Sequence, residues 1–157
     1  MIRTYGIMAL RWCMGLIFLA YGIQKLIGGQ FIYDHQAITL NLDTVAPSTL
    51  VWFFYGYAPL YGMFIGIGEC VAALLIMWRR TQTLGALCFF AIALNIAVLD
   101  ITFGFPLPAT LLAVGLTCAS AFLLWTERGV LLQLLHFPER PALARRVEDS
   151  PADRARI

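Results

Sequence analysis

Four long apolar stretches dominate the chain, over about 5–27, 57–78, 84–105 and 107–125. A helix needs about 20 apolar residues to cross the hydrocarbon core of a bilayer. The runs are continuous rather than alternating, as a barrel strand would be, and an open sheet would leave backbone groups unpaired in lipid. The pattern predicts an all-α integral membrane protein, an antiparallel four-helix bundle.

The segments outside the spans differ in character. The outer loop 28–56 ends in the aromatic run Trp52-Phe53-Phe54-Tyr55, which is either a belt at the water–lipid boundary or a cover over the mouth of the bundle. Val130–Phe137 is apolar but too short to cross, which predicts an interfacial segment or a docked extension of the fourth span. The rest of 128–157 is rich in charge, alanine and proline, which predicts a disordered, basic cytoplasmic tail.

The arginines outside the spans predict the orientation. Arg3 precedes the first span, Arg79 and Arg80 join the second to the third, and six arginines follow the fourth. The loop 28–56 and the turn Gly104-Phe105-Pro106 contain no lysine or arginine. Because positive residues concentrate on the cytoplasmic side, both termini are predicted to be cytoplasmic. We expect a multi-pass protein of the bacterial inner membrane.

Composition narrows the function classes. The chain has 157 residues, of which 61% are hydrophobic and 13% charged, so residues 1–127 are expected to form one four-span domain. The net charge of +2 is not gathered into a basic patch with exposed aromatics, which argues against a nucleic-acid partner. The expected partners are the lipid bilayer and either another subunit or a second copy of the chain.

Ionisable groups inside the spans are the strongest functional candidates. A charge at the centre of a bilayer costs at least ~2.5 to 3.5 kcal/mol, so it persists only when paired, hydrated or used. Counting about 1.5 Å of rise per residue, Arg11 and Glu69 differ in depth by roughly 5 Å, which an arginine can cover. We therefore predict an Arg11–Glu69 ion pair, with Asn95 of the third span completing a polar cluster.

Two interpretations of this cluster stay open. In one, Arg11, Glu69 and Asn95 only join helices. In the other, they form a pocket in which Arg11 and Asn95 donate hydrogen bonds to the carbonyl oxygens of a quinone headgroup, and Glu69 gives or takes a proton.

A second polar group is predicted near the outer surface, formed by Lys25, Asp100 and His35. A Lys25–Asp100 bridge would join the ends of the first and third spans, although side chains this near the interface can also reach water. One histidine beside one aspartate is too few ligands for a metal ion, so no metal site is predicted.

Cysteines occur once on each span, at Cys13, Cys70, Cys88 and Cys118. Without a Cys-x-x-Cys pair, they are more typical of small buried side chains than of a thiol redox centre. No motif for a covalently bound cofactor is present, which leaves quinone as the cofactor candidate.

Several segments resemble the DoxX-like family of small four-helix membrane proteins. The run Arg11–Leu26 is similar to that family's opening helix, with an arginine, a glycine-rich apolar stretch and a Gly-x-x-Lys motif. Gly68-Glu69 with the basic turn Arg79-Arg80, then Asn95 and the turn Phe103–Pro106, are similar to its later helices. The resemblance implies a four-helix membrane fold and kinship with a subunit of thiosulfate:quinone oxidoreductase or with thiol-redox and oxidative-stress complexes. The positions it carries over are Arg11, Lys25, Glu69 and Asn95.

The leading hypothesis is a small membrane subunit of a quinone-linked oxidoreductase or redox-stress complex, with the electron-carrying cofactor on a partner. The alternative is a non-catalytic assembly or anchoring subunit whose charges lock helices together. A carrier for protons or a small solute is a third hypothesis, disfavoured because the prolines are confined to the ends of spans. Whether the chain is itself catalytic stays open.

Overall fold

The computed structural model describes residues 2–31 and 43–135, and this part of the chain is helical with no strand. Its helices are α1 (Ile2–Leu26), α2 (Pro47–Tyr57), α3 (Pro59–Met77), α4 (Gln82–Thr102), α5 (Leu107–Thr126) and α6 (Arg128–Leu135). Four of them, α1, α3, α4 and α5, are long and apolar enough to cross a membrane. The predictions of an all-α fold and four apolar membrane helices are confirmed.

Close contacts between helices depend on glycine. α1 packs against α3, α3 against α4, and α4 against α5. A Cβ atom added at Gly22 of α1 would lie 2.8 Å from the carbonyl oxygen of Gly66 of α3. One added at Gly85 of α4 would lie 2.3 Å from the backbone nitrogen of Ile76. At these points the backbones approach more closely than any larger residue allows.

The apolar core lies between α1, α3, α4 and α5. Phe18 of α1 and Phe89 of α4 stack with their ring centroids 3.6 Å apart, and both are buried. Met14, Ile76 and Leu123 are buried beside them. Most other large apolar side chains of these helices are exposed, as expected where lipid rather than water surrounds the protein.

The sequence predicts a loop over 28–56, but the structure shows that this segment contains most of helix α2. Pro47 and Pro59 each stand in the first turn of a helix, where the missing N–H of proline has no cost. Ala58 between α2 and α3 is extended, at φ −118° and ψ 90°, as is usual before a proline. The second span therefore begins at Pro59, and Tyr57 belongs to α2.

The third span ends earlier than predicted. α4 ends at Thr102, and Gly104 adopts a φ of +64°, which reverses the chain before α5 begins at Leu107. Helix α6 covers much of the predicted interfacial segment, whose place at the interface stays a prediction. His35 and the tail 136–157 lie outside the described residues.

Candidate functional site

A cavity of about 820 Å³ opens between the helices, and its wall is formed by α1, α2, α3, α4 and α5 together with residues 30 and 31. Its volume falls within the ~300 to 1,000 Å³ typical of small-molecule sites. Most of the wall is apolar or aromatic. Polar side chains reach it at Gln24, Lys25, Gln30, Glu69, Asn95 and Asp100.

Lys25 and Glu69 form an ion pair in the cavity wall. Lys25 Nζ donates to Glu69 Oε1 at 2.8 Å and to Glu69 Oε2 at 2.7 Å, and the side chains are 7% and 1% exposed. The ammonium also lies 5.6 Å from the centroid of the Tyr21 ring. Each charge thus has a partner although both are withdrawn from solvent.

The predicted Arg11–Glu69 and Lys25–Asp100 pairs are both wrong, and helix geometry explains why. Helical side chains lean toward the N-terminus of their own helix. The Cβ of Lys25 lies beside Gly66, so the lysine leans back along α1 and meets Glu69 one turn further along α3. Arg11 leans away from Glu69.

The register between α1 and α3 places Arg11 too far away as well. Gly15 faces Met77 at the end of α3, and Arg11 lies a further turn beyond it. Glu69 is two turns back along α3 from Met77, about 12 Å at 1.5 Å per residue. The depths counted from the ends of the spans gave the wrong pair because they ignore the lean of the side chains and the register between α1 and α3.

Arg11 belongs instead to a second polar group, here called the arginine cluster: Arg11, Gln82, Thr83 and Glu127. Arg11 donates to Gln82 Oε1 and, at 2.6 Å, to Glu127 Oε1. Gln82 and Thr83 also donate to the Glu127 carboxylate, each at 2.7 Å. The cluster ties α1 to the start of α4 and the end of α5, and none of its members lines the cavity. The hydropathy pattern does not predict the arginine cluster. Gln82 and Glu127 lie at the ends of apolar runs, where polar residues are ordinary.

Asp100 and Gln30 bring polar groups without partners to the cavity. Asp100 is 6% exposed, and its carboxyl group has no hydrogen-bond or ion-pair partner within the part of the chain that the structure describes. Gln30 Oε1 is buried and lacks a donor among the same residues. Asn95 also lines the cavity, as an exposed residue of α4. Gln30 carries no sequence signal, because an isolated glutamine after a span is ordinary.

Helix α2 and Phe31 cover one side of the cavity with aromatic rings. The Phe31 ring centroid lies 6.0 Å from that of Trp52 and 5.2 Å from that of Tyr55, and Trp52 lies 5.3 Å from Phe105. Burial raises the pKa of Tyr55 above its usual value and the neighbouring Tyr61 adds to this, so the phenol keeps its proton. The aromatic run was interpreted either as a belt at the water–lipid boundary or as a cover over the mouth of the bundle. The ring contacts of Trp52 and Tyr55, and their place in the cavity wall, favour the cover.

Comparison with known proteins identifies one relative. The uncharacterized protein YwoB of Bacillus subtilis (strain 168) is 33% identical over 132 residues, which cover 83% of this chain and 80% of YwoB. This chain belongs to the YwoB family. No family model and no solved structure matches it. The Bacillus source of this relative agrees with the prediction of a bacterial protein, while the resemblance to DoxX-like proteins stays a prediction.

The cysteines and acidic residues add no second chemical centre within the described ranges. All four cysteines are free thiols; Cys13 and Cys118 are exposed on the apolar helices, and Cys70 and Cys88 are partly buried. Residues 2–31 and 43–135 contain no group of three His, Cys, Asp or Glu side chains able to hold a metal ion. The cavity is therefore the candidate site.

Proposed function

We propose that this YwoB-family protein is a membrane subunit of a quinone-linked oxidoreductase or redox-stress complex, and that its cavity holds a quinone-class ligand. The observation that carries the proposal is one buried ion pair, Lys25–Glu69, set in the wall of an 820 Å³ cavity that is otherwise largely apolar. Sites for small molecules combine such apolar walls with a few placed polar groups. The DoxX-like resemblance supports the same class of ligand.

The residues present fit such a ligand. Trp52 and Phe105 offer flat apolar surfaces for a ring, and rings of this kind pack at centroid distances of about 4.5 to 7 Å. The Asn95 amide would donate to an oxygen of the headgroup, and the Glu69 carboxylate, held by Lys25, would accept a proton and return it later. When bound, the quinone would supply the capacity to accept two electrons, and the electron donor would be a cofactor on a partner subunit. Lys25, rather than Arg11, is the ion-pair partner of Glu69.

The proposal includes an arrangement in the membrane. We propose an antiparallel four-helix bundle with both termini in the cytoplasm of a bacterial cell, and with α2 on the outer side. The contacts of Gly15 with Met77 and of Gly22 with Gly66 support opposite directions for α1 and α3. The concentration of arginines in the 79–80 turn and after α5 supports the orientation.

Two glycines provide a matched test. Gly68 of α3 lines the cavity, Gly115 of α5 does not, and a Cβ added at either would meet nothing within 4 Å. Gly68→Phe should project a ring into the cavity, whereas Gly115→Phe should project a ring elsewhere. Binding of decylubiquinone to the purified protein in lipid nanodiscs, measured by titration calorimetry with empty nanodiscs subtracted, should weaken at least about tenfold in Gly68→Phe and stay unchanged in Gly115→Phe. Binding no greater than that of empty nanodiscs, or equal binding by both variants, would overturn the proposal.

The arginine cluster favours a second candidate, a non-catalytic assembly or anchoring subunit. It joins three helices through one carboxylate and lines no cavity, which is the arrangement expected of a purely structural lock. In that case Arg11→Ala lowers the yield of folded complex while activity per assembled complex is kept, and Glu69→Gln leaves that activity unchanged too. A loss of activity per complex in Glu69→Gln alone would favour the quinone site.

A further inference from the structure

The charged side chains of the cavity do not balance. Among the residues that the structure describes, its wall contains three of them, Lys25, Glu69 and Asp100. Lys25 and Glu69 neutralise each other, since the ammonium donates to both carboxylate oxygens. Asp100 is 6% exposed, and its carboxyl group has no ion-pair or hydrogen-bond partner within that part of the chain. An ionised Asp100 therefore gives the cavity one negative charge that no described residue offsets.

This charge discriminates between ligands better than the hydrogen-bonding groups of the wall do. The neutral polar side chains of the wall include those of Gln24, Gln30, Trp52, Tyr55 and Asn95. Together they supply both donors and acceptors, so they favour neither sign of charge in a ligand. A carboxylate withdrawn from bulk water, in contrast, is stabilised by a cation and destabilised by an anion.

Aromatic rings line the same end of the cavity. The backbone N–H of Phe105 donates to the carbonyl oxygen of Asp100 at 2.9 Å, so the ring and the carboxyl group belong to one turn. The Phe105 ring centroid lies 5.3 Å from that of Trp52, which lies 6.0 Å from that of Phe31. The face of such a ring attracts a cation within about 6 Å of its centroid. A cation bound at Asp100 would therefore have aromatic rings to pack against.

A carboxylate beside aromatic rings is the combination that recognises organic ammonium ions. We propose that this end of the cavity binds an organic monocation, with Asp100 as its counter-ion and Trp52 and Phe105 as the rings that pack against it. An alkylated ammonium suits the site better than a metal ion, because its apolar groups fill the apolar wall and it needs no shell of oxygen ligands. This inference goes beyond the proposed function and does not rest on it. Since Trp52 and Phe105 also serve the proposed quinone, the two ligands would exclude each other.

Two probes of opposite charge test the inference in the wild-type protein. Benzyltrimethylammonium and benzylsulfonate share a benzyl group and differ in the sign of their charge. Titrated into the protein in nanodiscs of zwitterionic lipid, with empty nanodiscs subtracted, the cation should bind at least about tenfold more tightly than the anion. Equal affinities, tighter binding of the anion, or binding of neither probe would overturn the inference. Decylubiquinone is titrated separately, so its binding bears on the proposed function alone.

Variants identify the groups responsible. Asp100→Asn keeps the shape of the side chain and removes its charge, so the cation should bind at least about tenfold more weakly. Trp52→Leu removes a ring, should also weaken binding of the cation, and serves if Asp100→Asn does not fold. Glu127→Gln is the matched control, because it removes the same charge from the arginine cluster, and it should keep the wild-type affinity. An affinity that is unchanged in both Asp100→Asn and Trp52→Leu, or that falls equally in Glu127→Gln, would refute the assignment.

Discussion

The Lys25 ammonium of α1 lies within 2.8 Å of both carboxylate oxygens of Glu69 on α3, and both side chains are almost wholly buried. This pair joins two of the apolar helices and forms part of the cavity wall at the same time. The same contact therefore supports both the fold and the candidate site, so variants are needed to separate its structural role from its functional role.

Removing one member of the pair should be worse than removing both. Lys25→Met or Glu69→Met leaves the other charge buried and unpaired, which typically costs about 3 to 5 kcal/mol. The double variant should recover most of that loss, because replacing a buried pair by apolar side chains is often neutral. Unfolding in mixed micelles with increasing sodium dodecyl sulfate measures all four proteins. Additive losses in the double variant would show that the two side chains are not coupled.

The contact between α3 and α4 should tolerate no side chain at Gly85. A Cβ there would lie 2.3 to 2.6 Å from backbone atoms of Leu75 and Ile76, which cannot move aside as a flexible side chain can. Gly85→Ala should therefore destabilise by more than about 3 kcal/mol, at or above the usual cost of overpacking. Gly115→Ala, in open space in the middle of α5, should gain up to about 1 kcal/mol from higher helix propensity. A thermal shift in mild detergent measures both, and a stable Gly85→Ala protein would contradict the packing.

The arginine cluster should affect stability without affecting the cavity. Arg11→Ala removes the donors to Gln82 and Glu127 and should cost about 1.5 to 3 kcal/mol, the value of a hydrogen bond to a charged group. Arg80→Ala, at an exposed residue, should stay within about 0.5 kcal/mol of the wild type. The folded fraction of Arg11→Ala should still bind decylubiquinone with wild-type affinity. Weakened binding in that fraction would mean that the two polar groups are coupled.

The proposed orientation predicts which turns can be labelled from outside the cell. In a background with the four cysteines replaced by alanine, Ala46→Cys before α2 should react with a membrane-impermeant maleimide in intact cells. Arg80→Cys, between α3 and α4, should react only after the membrane is permeabilised. Both positions are exposed, so burial does not explain a difference. The reverse pattern would invert the topology.

Sequence by itself determined the four long helices. Each apolar run is long enough to cross a bilayer, and in lipid the backbone can satisfy its own hydrogen bonds only within a helix or a closed barrel. Pro59, which separates α3 from α2, also lies in the sequence, but the break at Ala58 is hidden because the apolar pattern continues through it. Glu69, Lys25, Asn95 and Asp100 stood out as candidates for a reason equally local, since polar groups are rare in such runs.

Only the tertiary structure decided which of these groups meet. Pairing depends on the register between α1 and α3, which is set where Gly22 and Gly66 let the backbones touch, and on the lean of each side chain toward its own N-terminus. Those two factors bring Lys25 to Glu69 and keep Arg11 away from it, and the packing of α1 beside the end of α5 gives Arg11 its partner Glu127. The cavity has the same origin: its wall joins Trp52 and Tyr55 of α2 to Asp100 of α4, a relation between distant segments that no local pattern of residues contains.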